Sequence, residues 1–341
     1  MRPIDRRRLL ASLAAVLALP PLALGATARL RFATLVPRGS LYHRVLLEIG
    51  EAWRHAEGLE NGFTVFSDGV QGDELDIVRR MRIGQLNGAM ISVVGLGAIE
   101  PGVTALQYMP LMFRSWEEVD AASQRLRPLL EQRIAARGFV VLYWGEAGWV
   151  RFFSRTPAVR PADFQRLKIF AWSGTPEQVE LMRALGYRPV SLETADILPG
   201  LQTGLIDAVP VIAGWALAAQ LDAIAPHMLD MRWVPITGAA VMTREAWEGI
   251  SPAGQAAVRA ASARAAETLR NERERADQAA IEAMRKRGLQ VHTAPPEAQS
   301  EWQQLVSAAW PRIRGGMVPA DVFDLVQRTL AEFRAGRASG Q

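Results

Sequence analysis

The chain of 341 residues contains no cysteine and only four histidines. Without cysteine there is no disulfide framework, no thiolate metal site and no cysteine nucleophile. A lipid-modified amino terminus after export is excluded for the same reason. His43, His55, His227 and His292 stand at no metal-ligand spacing and form no HExxH-type motif, so each reads as a surface or capping residue. No GxSxG elbow recommends a serine nucleophile, and no P-loop is present. Gly95-Leu96-Gly97 is followed by Glu100 where a dinucleotide fingerprint needs a third glycine. No cofactor and no catalytic residue are therefore expected, and an exported hydrolase is the weakest reading.

Long apolar runs are as scarce as cysteine. The exception is Leu9 to Leu24, which follows Arg6-Arg7-Arg8, is interrupted by Pro20-Pro21 and ends before Ala26-Thr27-Ala28. A basic head, an apolar stretch and a small-x-small site describe a signal peptide over residues 1–28. The arginine string also permits the twin-arginine route. No later stretch is apolar enough to cross a bilayer, so a free protein in the periplasm is expected. Net charge is small too. The chain carries a formal +4, but the first 28 residues hold four Arg and one Asp, leaving +1 for the remainder. Nucleic acid is excluded as a partner on this ground.

What remains is 49% hydrophobic, enough for two sizeable cores. Short apolar strands alternate with amphipathic helices, the grammar of a largely parallel α/β sheet. Strands are expected at Leu30–Val36, Phe63–Phe66, Ala89–Val94, Phe139–Tyr143, Leu167–Trp172, Pro189–Leu192 and Ile206–Ile212. Ser40 and Ser115 cap helices, and Leu41, Val45, Ile49 and Trp53 make one buried stripe. Over Gly72–Ile83 the inward residues should be Leu75, Val78 and Met81. Pro252 to Arg287 has no internal proline and predicts a helix about 54 Å long. Its inner stripes are Val258, Ala261, Ala265 and Leu269, then Ala276, Ala280 and Met284; two helices broken near Asn271 are the alternative. Trp144, Trp149, Trp172, Trp215 and Trp233 fall at or beyond strand ends, where open α/β sheets bind ligands.

Several phrases, in order over residues 29–315, resemble the substrate-binding proteins of tripartite ATP-independent periplasmic (TRAP) transporters. They are Phe32-Ala33-Thr34-Leu35-Val36-Pro37-Arg38-Gly39-Ser40 with His43, Asp68-Gly69-Val70-Gln71-Gly72-Asp73-Glu74, Pro110-Leu111-Met112-Phe113, Pro161-Ala162-Asp163-Phe164 through Lys168-Ile169, and Leu201-Gln202-Thr203-Gly204-Leu205-Ile206-Asp207. The resemblance implies a two-lobed α/β periplasmic binding protein of the Venus-flytrap type, with the long helix spanning both lobes. Lobe I is expected at 29–148 and 236–275, and lobe II at 149–235 and 276–341. It further implies a ligand in the interlobe cleft and separate small and large permease subunits as partners. A sensor or scaffold acting through another membrane partner is the alternative function.

Site residues carry over unevenly. The family grips an organic acid with an arginine after its Lys-Ile phrase; here that position is Phe170. A second family arginine matches Arg151. Where the family continues Asp-Gly-Gln-Glu-Asn, this chain has Asp207-Ala208-Val209-Pro210-Val211. Trp149, Trp172 and Trp215 stand near these apolar replacements, and His43 and Gln71 belong to matching phrases. The expected binding set is Arg151, Phe170, Trp172, Trp149, Trp215, Val209, Pro210, Asp207, His43 and Gln71. The divergence implies an apolar or aromatic acid held by Arg151, or a neutral lipophile. A family subset that diverges this way is associated with a periplasmic repeat-containing helper protein.

Overall fold

A computed structural model describes residues 29–338. The expected signal peptide, residues 1–28, lies outside them. Strands β1 (Leu30–Ala33), β2 (Phe63–Phe66) and β3 (Gly88–Ser92) form a parallel group with β1 in the middle. The sixteen-residue β4 (Phe139–Ser154) then crosses the molecule. Beyond it, β5 (Lys168–Trp172) lies parallel to both β6 (Arg188–Leu192) and β7 (Ala208–Ile212). The short β8 (His227–Leu229) pairs with the far half of β4, and β9 (Pro235–Thr243) runs back between β3 and the near half of β4. The last strand, β10 (Gln290–His292), is parallel to β8. The sheet order is β2-β1-β3-β9-β4-β7-β5-β6. Two parallel α/β lobes are thus joined by two antiparallel crossing strands, the two-lobed architecture expected.

The sequence reading stopped β4 at Tyr143 and had no strand at β9. Register shifts between Val141 and Tyr143 and between Glu146 and Gly148 break the alternation that marks a strand. In β9, Gly238-Ala239-Ala240 supplies little β propensity. Gly238 is there for closeness: a Cβ on it would stand 2.5 Å from the Ile91 carbonyl oxygen of the neighbouring strand.

The first helix, Leu41–Ala56, starts where Ser40 accepts from the His43 amide, and buries Val45, Ile49 and Trp53. In the helix Glu74–Arg82 the inward residues are Ile77, Val78 and Met81, while Leu75 is 41% exposed. The 3.6-residue period makes Ile77 and Met81 the i, i+4 pair, which turns Leu75 outward.

The long helix Pro252–Lys286 is unbroken at Asn271 and about 52 Å in length. Val258, Ala261, Ala265 and Leu269 pack into a lobe I core, and Ala280, Ile281 and Met284 into a lobe II core. Between these stripes Arg273 and Asp277 are buried, and Ala276 is exposed.

The expected lobe division at 148 and 149 falls inside β4. The last helix, Ala320–Ala338, places Val322, Phe323, Val326 and Leu330 in the lobe I core against the helix Trp116–Ala136. Residues expected in lobe II therefore return to lobe I, where this stripe is buried.

Candidate functional site

Two cavities lie between the lobes. The larger, about 620 Å³, has walls from the β1 loop (Thr34 to Tyr42), the end of β3, the crossing strands, Ile212 and Trp215 of lobe II, and Asp277 of the long helix. The smaller, about 220 Å³, is enclosed by Val150 and Phe152 of β4, the end of β5, Trp233, Trp302 and the lobe I residues Gln107 and Tyr108.

The expected residues divide between them. Phe170, Trp172 and Pro210 line the smaller cavity, and Trp215 the larger. The other six line neither. Trp149 is fully buried, 4.8 Å from the Trp116 ring centroid, and Val209 is core. The Asp207 carboxylate accepts from the Lys168 amide, joining β5 to the start of β7. His43 closes the turn into the first helix by accepting from the Gly39 amide. Gln71 sits half-buried in the turn before Asp73.

Arg151 has two carboxylate partners. Val150 and Phe152 face the smaller cavity, so strand alternation sends Arg151 to the opposite face. There its Nε donates to Asp230 at 2.8 Å and its Nη1 to Asp277 at 2.7 Å. At 1% exposure the guanidinium is sealed in. Burial pushes the Asp277 carboxyl up, against the opposing pull of Arg151. One turn away Arg273 donates to Asp120 and Glu146, and Glu146 also pairs with Arg127. The middle of the long helix is thereby tied by ion pairs to the crossing strand.

Sequence reasoning missed the polar groups of the larger cavity. Glu74 is buried and accepts from the Ser92 amide, the Ser92 hydroxyl and the Gly95 amide, at 2.7–2.8 Å. Burial raises its pKa, and these hydrogen bonds oppose the rise. The Tyr42 hydroxyl donates to the Glu146 carbonyl, and burial pushes its pKa up. Asp277 Oδ1 and Thr237 Oγ1 are buried without a hydrogen-bond partner. Asp277 stands four residues after Arg273 and four before Ile281 on the buried face of the long helix. His227 and His292, 65 residues apart, meet at 3.0 Å through the β8–β10 pairing. Among the described residues no group of three potential ligands could hold a metal ion.

The lobes are latched across the cleft. Trp172 at the end of β5 donates from Nε1 to Asp73, 2.7 Å away, at the cap of the lobe I helix Glu74–Arg82. Thr194, beyond β6, reaches the same oxygen at 3.5 Å. Glu193 has its pKa raised, chiefly by its hydrogen bond to Asp73, with Asp76 adding repulsion. A raised carboxyl pKa means the latched form holds the extra proton. Its contribution is complete below the ordinary carboxylate value and is lost as pH rises through the raised one. Trp172→Phe should therefore open the cleft, and the wild type should be more closed at about pH 5 than at about pH 8. Small-angle scattering reads both as a larger radius of gyration; an unchanged radius in the variant would remove the latch.

The chain matches DctP, the bacterial extracellular solute-binding protein family 7, over residues 32–314. It is 23% identical over 237 residues to the 2,3-diketo-L-gulonate-binding periplasmic protein YiaO of Escherichia coli, covering 67% of this chain and 70% of that one. It is 20% identical over 201 residues to the C4-dicarboxylate-binding periplasmic protein DctP of Rhodobacter capsulatus, covering 58% and 60%. The first curated relatives are thus matched over less than two thirds of their length, 44% and 60%. Solved structures are matched almost whole. A TRAP periplasmic solute binding protein from Xanthobacter autotrophicus with bound β-D-galacturonate superposes with a TM-score of 0.80 at 19% identity, over 89% of this chain and 99% of that one. DctP7 of Bordetella pertussis, an extracytoplasmic solute receptor binding pyroglutamic acid, gives 0.80 at 18% identity, over 90% and 100%. A family match across both lobes, on a fold shared with these receptors, makes this chain a member of the bacterial extracellular solute-binding protein family 7.

Proposed function

We propose that this protein is a periplasmic receptor that traps a small organic ligand between its lobes and passes it to a TRAP-type permease. The ligand has a mainly apolar or aromatic body and is not anchored by a carboxylate. The observation that carries this reading is the state of Arg151. Its guanidinium is taken up by Asp230 and Asp277, so it offers no free fork to an acid. At the other position where the resemblance to the family implies a cation, this chain has Phe170, facing a cavity walled by Trp172, Trp233 and Trp302. Among the described residues the one cation lining the larger cavity is Arg38, whose side chain is 76% exposed and faces Asp68. A buried carboxylate here would lose its hydration with no charged partner in exchange.

The structural relatives hold acids such as β-D-galacturonate and pyroglutamic acid, so the reading separates this chain from them. No helix among the described residues is long and apolar enough to cross a membrane. The permease, in small and large subunits, is then a separate partner, and a periplasmic repeat-containing helper protein is a further one.

A thermal-shift series tests the reading, because a ligand that binds only the native state raises the midpoint. Galacturonate, pyroglutamate and succinate should leave the midpoint unchanged, while uncharged or basic aromatic compounds raise it. A saturable rise with any of those three acids would refute the reading.

A further inference from the structure

We propose that the larger cavity recognises its apolar ligand through a protonated amine, with Asp277 Oδ1 and Thr237 Oγ1 as acceptors. The inference rests on the reading above and names the polar end of the ligand.

Both residues line the cavity, at 4% and 0% exposure, and both oxygens lack a partner. Such atoms are costly to bury unpaired, and a native protein keeps them where something else completes the bond. Both residues adjoin the crossing strand β4, Thr237 by pairing with Glu146 and Asp277 by its approach to Gly148. A Cβ on Gly148 would stand 3.4 Å from Asp277 Oδ1 and 3.5 Å from Ile212, itself a lining residue. Gly148 also pairs across the sheet with Ile236, the neighbour of Thr237.

Charge selects the kind of donor. Arg151 is one cation facing two carboxylates, Asp230 and Asp277. With both carboxylates ionised the cluster carries one negative charge in excess, and Asp277 Oδ1, buried at the cavity wall without a partner, is the acceptor left for a ligand. Glu74 adds an acidic group to the same wall, with its oxygens already engaged. An ammonium has three donors and neutralises the excess; a hydroxyl supplies a donor without the charge, and a carboxylate supplies neither. Tyr42, Tyr143 and Trp215 line the cavity as well, giving aromatic faces that attract a cation.

Two shape-matched sets test this by titration calorimetry at neutral pH: phenylethylammonium, phenylethanol and phenylpropionate, then hexylammonium, hexanol and hexanoate. Within a set that binds, the amine should be about tenfold tighter than the alcohol, with the acid weakest. Asp277→Asn should bring the amine down to the affinity of the alcohol and leave the alcohol as it was. Should that variant fail to fold, the wild-type ranking decides alone. An alcohol equal to its amine overturns the amine but leaves an apolar ligand without a carboxylate anchor standing; an acid tighter than either overturns both. Silence from all six overturns both.

Discussion

Arg151→Met should destabilise the folded protein by about 3–5 kcal/mol in a urea titration. Methionine fills most of the same volume, so the cost is electrostatic. Asp277, with a side chain only 2% exposed, would lose the Nη1 hydrogen bond and the only cation bonded to it. Asp230 would lose less, since its side chain is 44% exposed and water can replace the bond. Combining Arg151→Met with Asp277→Leu should recover more than half of the loss, because a buried pair replaced together by apolar groups is often neutral. The experiment also separates two roles for this arginine. A guanidinium held in reserve for a ligand carboxylate would be removed with little loss, or with a gain. A large loss, rescued by the second substitution, marks it as a fixture of the ion pairs between the crossing strand and the long helix.

Glu74→Leu is the second substitution with a large expected effect, again about 3–5 kcal/mol. Three donors converge on this buried carboxylate, from Ser92 N, Ser92 Oγ and Gly95 N. They belong to the turn that carries β3 into the short helix Val93–Gly97. A Cβ on Gly95 would stand 2.9 Å from the Glu74 Cβ, so the two chains touch and water has no room to replace the carboxylate. Urea denaturation measures the loss. A change below about 1 kcal/mol would mean that the donors reach water through the cavity, and that Glu74 does not hold this turn.

Much of the architecture was legible because its signals are local. Ser40 and Ser115 do cap helices, and the stripe of the long helix through Leu269 is buried where the periodicity placed it. Phrases shared with a known family supplied the lobes and the crossing helix. The crossing strands β4 and β9 were less legible, since they are built from residues chosen for closeness rather than propensity. Gly145, Gly148 and Gly238 let β4, β9 and the long helix approach, and they erase the alternation by which strands are read.

The site was legible only in part, for a different reason. Trp172 and Trp215 could be placed beside a cavity from strand ends, and Phe170 and Pro210 from the family phrases they interrupt. The state of Arg151 could not, because its partners lie 79 and 126 residues away and nothing local shows that they meet it. An arginine at a conventional ligand position carries one meaning when its fork is free and the reverse when two carboxylates hold it. Asp277 and Thr237 were hidden likewise: an aspartate on a helix and a threonine on a strand of small residues give no sign of burial until the lobes are assembled.

Mass spectrometry of whatever small molecule remains bound when the protein is purified from its own periplasm tests the central claim most directly. The account predicts a compound with an aromatic or aliphatic body, a basic nitrogen and no carboxylate. A sugar acid or dicarboxylate, recovered in stoichiometric amount, would contradict it.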